Sequence, residues 1–161
     1  MTEVKEKVHV PRASLPDLYD RDFFAWTVEQ SDALSRRQAG AVDWKNLAEE
    51  VRSLRSNDKN EIESRVLVLL VHLMKWSRQP AKRKPGWAGT IRELRRRIRK
   101  RIEASPSLAG YPSEVLAEEY ADARFSAADE TGLPLSSFPE VCPFTVTEVL
   151  DPDFWPEGSS P

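Results

Sequence analysis

The sequence predicts an all-α fold: a four-helix-type bundle with a long second helix and an extended Pro/aromatic-rich C-terminal tail packed on it. Four successive stretches carry apolar residues at i, i+3, i+4, i+7 spacing, the signature of a half-buried helix. Proline, serine and glycine punctuate the joints between those stretches. The prolines at 134, 139, 143, 152, 156 and 161 exclude further long helices after Gly132.

Residues 1–16 mix charges with Pro11 and Pro16, show no period, and read as a mobile N-terminal arm. Residues 17–161 then form a single helical domain. Asp17 or Asp20 serves as N-cap for a first helix over about 20–37, with Phe23, Phe24, Trp26, Val28, Ala33 and Leu34 near helical spacing and Gly40 beyond its end. Asp43 caps a second helix over 44–79. Its stripe runs through Leu47, Ala48, Val51 and Leu54, crosses the poor helix formers Asn57, Asp58 and Asn60, and resumes at Ile62, Val66, Leu69, Leu70, Leu73 and Trp76. Residues 66–74 are apolar on nearly every side, which predicts burial at the bundle centre.

Pro80 and Pro85 enclose a Lys82-Arg83-Lys84 loop, and Gly86 and Gly89 delay the third helix, 87–104. Its narrow apolar stripe is Trp87, Ile91, Leu94, Ile98 and Ile102. Pro112-Ser113 opens a fourth helix, 113–130, whose acidic first turns suit the helix dipole and whose buried edge is Leu116, Tyr120, Ala123 and Ala127. Phe138, Phe144, Phe154 and Trp155 in the tail, residues 132–161, are too many large apolar groups to leave in water, so the tail is expected to wrap the bundle.

Composition bounds the rest. At 161 residues, 40% hydrophobic and 31% charged, the chain has the size and make-up of one folded domain. The single cysteine, Cys142, closes no intrachain disulfide, Met1–Pro11 lacks the apolar core of a signal peptide, and no apolar run approaches a membrane span. These features predict a cytoplasmic protein without a membrane partner. The net charge of −2 hides a division: residues 75–103 hold 12 Lys/Arg against 2 Asp/Glu, and residues 104–161 hold 1 against 11. The basic and acidic segments either lie against each other or face different partners.

Several motifs in order carry a family resemblance. They are Leu18-Tyr19 and Asp22-Phe23; Asp43 with Leu47-Ala48-Glu49-Glu50-Val51; His72-Leu73-Met74-Lys75-Trp76 with Gln79-Pro80; and Ser105-Pro106-Ser107-Leu108. Glu130-Thr131-Gly132-Leu133-Pro134, Phe138-Pro139, Cys142-Pro143 and Asp151-Pro152-Asp153-Phe154-Trp155-Pro156 complete the pattern. Over residues 17 to 157 the chain resembles the bacterial all-helical family catalogued as domain of unknown function number twenty-nine. The resemblance implies an all-helical fold and bacterial origin, and it assigns no residue a catalytic or binding role.

The sharpest chemical signal is the basic third helix, from which Arg92, Arg95, Arg96, Arg99 and Lys100 are the candidate binding residues for a polyanion or partner. Arginine forks pair with phosphate oxygens, so nucleic acid is a candidate partner. The plainer reading has Glu114, Glu118, Glu119 and Asp122 of the fourth helix neutralising the third. His72 with Glu49 and Glu50 resembles acid–base chemistry, but 22 positions of continuous helix separate Glu50 from His72 by about 33 Å, and only a break near Asn57 or a second chain joins them. Cys142 lacks a partner cysteine or histidine and reads as a small buried hydrophobe. The aromatic set Phe23, Trp26, Trp44, Trp76 and Trp87 suits core packing ahead of a ligand pocket. No metal-ligand spacing, glycine-rich phosphate loop or nucleophile elbow occurs, so no metal or cofactor is expected. The leading expectation is a non-enzymatic helical protein-interaction or self-association domain acting through the third helix or the tail. Polyanion binding through helix 92–101 is the alternative.

Overall fold

The structure, a computed structural model, describes residues 17–157; the predicted N-terminal arm and the last four residues of the tail lie outside them. The described residues are all-helical, without a strand. Six α-helices follow in order: α1 (Leu18–Arg21), α2 (Phe23–Ser35), α3 (Trp44–Arg78), α4 (Pro85–Ala104), α5 (Tyr111–Thr131) and α6 (Val146–Leu150). The chain divides into two compact units, Met1–Ser53 and Leu54–Pro161.

In the first unit the expected single helix over 20–37 is two. Asp22, at φ −151° and ψ 84°, leaves helical geometry, and its side chain accepts from the Ala25 N–H at 2.9 Å to cap α2. α2 stops two residues early, with Arg37 in the left-handed region at φ 57°. The Gln38 N–H reaches back to Ala33 O and the Arg37 N–H to Leu34 O, the two bonds of a Schellman ending. Asp43 then caps α3, accepting from the Asn46 N–H at 3.2 Å and from the Trp26 indole at 3.2 Å, while its own N–H donates to the buried Gln30 side chain at 2.7 Å. Burial pulls the Asp43 pKa upward, but the Asn46 and Trp26 hydrogen bonds outweigh it and hold the carboxyl below its ordinary value. Tyr19, Phe23 and Trp26 cluster beside this hub, with ring centroids 4.9 to 5.7 Å apart.

α3 is continuous through Asn57, Asp58 and Asn60. Its buried residues begin only at Ile62, so the stripe expected from Leu47 to Leu54 is not core: Val51 is 59% and Leu54 65% exposed. The later half is not enclosed on every side either, since Val68 is 37% exposed and Leu67 and His72 are half-buried.

The second unit holds the core. Ile62, Val66, Leu69, Leu70 and Leu73 of α3 pack with Ile91 and Ile98 of α4 and with Tyr120, Ala123 and Ala127 of α5. α4 begins at Pro85, earlier than expected, because proline suits the first helical position, where its missing N–H has no partner to lose. α5 likewise opens with Pro112 in its first turn and ends at Gly132, φ 71°. The expected extended tail contains α6 and a 3-10 turn at Leu135–Ser137. α6 forms because Thr145 and Glu148 make a capping box, Thr145 Oγ1 accepting from the Glu148 N–H and Glu148 from the Thr145 N–H. Phe138 and Val149 join the core cluster, with Phe144 and Trp155 packed against it. Among the described residues no helix is long and apolar enough to cross a membrane.

Candidate functional site

α4 carries the basic segment, and its periodicity sorts the arginines into three environments. Arg92, Arg96, Arg99 and Lys100 are exposed. Arg95 is not: it falls in register with Ile91 and Ile98, is 2% exposed, and donates from Nε to Val149 O at 2.8 Å and from Nη2 to Glu148 O at 3.3 Å. The candidate binding set therefore loses Arg95, which holds carbonyls of α6 that a short helix leaves unpaired. Desolvation lowers its pKa, partly offset by Asp151, although the guanidinium remains charged. Its Nη1 has no partner among the described residues.

The third environment faces α3. Arg101 pairs with Asp58 at 3.1 Å and with Glu61, and Arg65 pairs with Glu61 at 2.6 Å. On α4 itself Glu93 accepts from Arg96 at 2.8 Å and Arg97 at 2.5 Å, and these hydrogen bonds hold its carboxyl down at about 2. Neutralisation of the basic helix is thus partial and comes from α3 and from Glu93. The expected α5 carboxylates make no ion pair with α4 among the described residues. Glu119 is instead raised by desolvation and by its acidic neighbours, Glu63 first.

Between α3 and α4 these side chains line a cavity of about 380 Å³ formed by Glu61, Arg65, Arg96, Arg97, Lys100 and Arg101. A second cavity, about 540 Å³, adjoins it through shared Arg65 and Arg97, and is lined by Gly86, Gly89, Thr90, Glu93 and Leu94. Arg65 and Glu61 escaped the sequence reading, and Gly86 and Gly89 figured there only as residues that delay the third helix. The i, i+4 pairs Glu61–Arg65 and Glu93–Arg97 were the available signal, but helical spacing cannot show which partner helix a charged face meets.

The other candidates separate. His72 Nδ1 lies 2.9 Å from Val68 O, Glu50 accepts from the Tyr19 hydroxyl, and Glu49 pairs with Arg52 at 3.0 Å. Because α3 is unbroken, the intrachain bend required for a His72–glutamate pair is absent. The Cys142 thiol donates to Phe144 O at 3.3 Å, and burial pushes its pKa up, away from a nucleophilic thiolate. The aromatic set is divided among separate contacts: Phe23 stacks on Trp26, Trp76 tilts against Trp155 at 4.7 Å, and Trp87 lies under Lys75. No cluster of three or more metal-ligating side chains occurs among the described residues.

Residues 18–155 match the family described as Domain of unknown function DUF29. Neither the curated proteins nor the solved structures give a match. With the family pattern extending from α1 to Trp155, the chain belongs to the DUF29 family.

Proposed function

We infer that this protein is a non-enzymatic interaction module that self-associates through the outer face of α2. The observation that carries the reading is the distribution of uncovered apolar groups. Six of the ten large exposed hydrophobic side chains among the described residues lie in the first unit, three of them (Phe23, Phe24 and Val28) within two turns of α2, whereas the four in the second unit, Leu54, Val68, Phe125 and Val141, are scattered along the chain.

On α2 the buried Trp26, Gln30 and Ala33 define the inner side. The opposite arc presents Phe24 (78% exposed) and Val28 (55%), with Phe23 and Leu34 along one flank and the Asp32–Arg36 ion pair along the other. Thr27, Ser31 and Ser35 run beside this ridge at i, i+4, i+8, and at 100° per residue the arc from Leu34 to Val28 carries no charge, Asp32 standing at its edge. Two phenylalanines of about 150–250 Å² each, this far exposed, bring the patch to the few hundred Å² beyond which an apolar surface marks an interface. A row of small residues beside a Phe24–Val28 ridge is self-complementary, since the ridge of one copy fits the shallow row of another. An isologous pair is the commonest closed arrangement. The tail aromatics, expected to serve this role, are buried or half-buried and offer less.

The same reading has the Pro/aromatic tail packed on the helices of the second unit, in a bacterial cytoplasm. The core positions of Phe138 and Val149 support the packing, and the lone cysteine supports a reducing compartment.

Sedimentation equilibrium tests the proposal. The wild-type chain is expected to approach twice its 18.4 kDa mass with rising concentration, and Phe24→Ser/Val28→Ser to remain monomeric with unchanged circular dichroism. A monomeric wild type, or a variant that still dimerises, contradicts it.

A second reading, polyanion binding by α4, is favoured by Arg99 and Lys100. Both are exposed and have no ion-pair partner among the described residues.

A further inference from the structure

The geometry points to the α3/α4 groove as a binding site for a compact organic phosphate with at least two linked phosphoryl groups, of which a nucleoside triphosphate is the type. The inference rests on the polyanion reading and relocates its site from the outer face of α4 to the groove.

One half of the groove is built for phosphate. Arg65, Arg96, Arg97, Lys100 and Arg101 line it, and the carboxylates within reach, Asp58, Glu61 and Glu93, are fewer than the cations they serve. Glu61 and Glu93 are each shared by two arginines, and Lys100 has no carboxylate partner among the described residues. With two arginines to each of these carboxylates, guanidinium N–H donors are left over for phosphate oxygens. From Arg96 to Arg101 the helix rises about 7.5 Å, room for a short phosphate chain.

The other half is built for something less charged. Gly86 lies in the first turn of α4 and Gly89 one turn further in, where glycine weakens a helix. Neither has a positive φ, and a Cβ at either position meets no atom within 4 Å. Neither backbone strain nor packing requires them, and what they do is leave the adjoining cavity open beside Leu94 and Thr90. The only cations lining this half are the shared Arg65 and Arg97, against the five of the other half, and Glu93 lines it too. A nucleic-acid strand needs cationic contacts along its whole track; a ligand with phosphates at one end and an organic moiety at the other matches this distribution.

Calorimetric titration of the full chain at low salt tests the inference with tripolyphosphate, ATP and a single-stranded oligonucleotide as probes. ATP is expected to bind, with affinity reduced about tenfold or more by Arg97→Gln/Lys100→Gln, as for loss of charge-assisted hydrogen bonds. Arg92→Gln/Arg99→Gln, outside the groove, should leave ATP affinity unchanged. Gly89→Leu, a stronger helix former, should lower ATP affinity to that of tripolyphosphate and leave tripolyphosphate binding intact. Glu93→Gln should tighten binding by freeing Arg96 and Arg97, a gain that misfolding cannot produce. Absence of ATP and tripolyphosphate binding, or a loss that follows Arg92 and Arg99, overturns the groove assignment. Oligonucleotide binding that depends on Arg92 and Arg99 without ATP binding also overturns it, yet leaves the polyanion reading standing; no binding of any probe removes both.

Discussion

Arg95 donates to the Val149 carbonyl at 2.8 Å, so the charge at the middle of the basic helix joins α4 to α6. Its side chain spans a core position, passes beside Trp155 at 5.7 Å, and ends on the last turn of a five-residue helix. A cation there complements the exposed carbonyls of the helix end.

Replacing Arg95 with methionine keeps the apolar stem and removes the donors. The Val149 and Glu148 carbonyls then lose their partner, and the expected cost is about 1–3 kcal/mol of unfolding free energy. Urea denaturation of the variant measures it. An unchanged midpoint contradicts the assigned role. Binding studies of the basic helix should accordingly leave Arg95 intact, because its loss confounds folding with affinity.

The chain has three tyrosines, and all three phenols are pushed up to about 12. Tyr19 is raised first by its hydrogen bond to Glu50, Tyr111 by its hydrogen bond to Glu63, and Tyr120 by burial. A folded pKa above the ordinary 10.0 means that the stabilisation is fully present below pH 10 and is lost as pH rises through about 12. Phenolate absorbance of the native protein should stay flat through pH 10.0. Glu50→Gln and Glu63→Gln should each bring one phenol back toward its ordinary range. A wild-type phenol that ionises near 10.0 contradicts these contacts.

Arg37 occupies the left-handed position that ends α2, at φ 57°, where an L side chain is strained and glycine is not. Arg37→Gly should stabilise the folded chain by about 0.5–1 kcal/mol, the relief of strain exceeding the added freedom of the unfolded state. Thermal melting measures the shift. A loss of stability indicates that the arginine side chain contributes more than its backbone strain costs.

How far the sequence could be read depended on whether local pattern or tertiary contact decided the outcome. The α3 boundaries were legible to within a residue at each end, because the Asp43 cap and Pro80 act locally. The core positions Tyr120, Ala123 and Ala127 were legible from period alone. By contrast, the Val51–Leu54 stretch has the period of a buried stripe yet is uncovered among the described residues, since period reports which residues share a face and not what covers it. α6 was missed because Pro143 and Pro152 dominate its neighbourhood, although Thr145-Val-Thr-Glu148 is a capping-box signature. Arg95 was grouped with the candidate binding residues because charge outweighed its register with Ile91 and Ile98. The α3/α4 groove could not be read at all, since it exists only where two helices meet.

A self-complementary α2 interface would bring the Phe24–Val28 face of one copy against that of another. Ser31 lies near the middle of that face, while Glu29 points to the opposite flank at 100° per residue. In a Cys142→Ser background, Ser31→Cys should form an intermolecular disulfide on mild oxidation, and Glu29→Cys should not, because the bond requires Cα atoms within about 7 Å. Rapid, selective crosslinking through Ser31→Cys is the predicted result. Equal coupling at both positions, or none at Ser31→Cys, contradicts a self-complementary α2 interface.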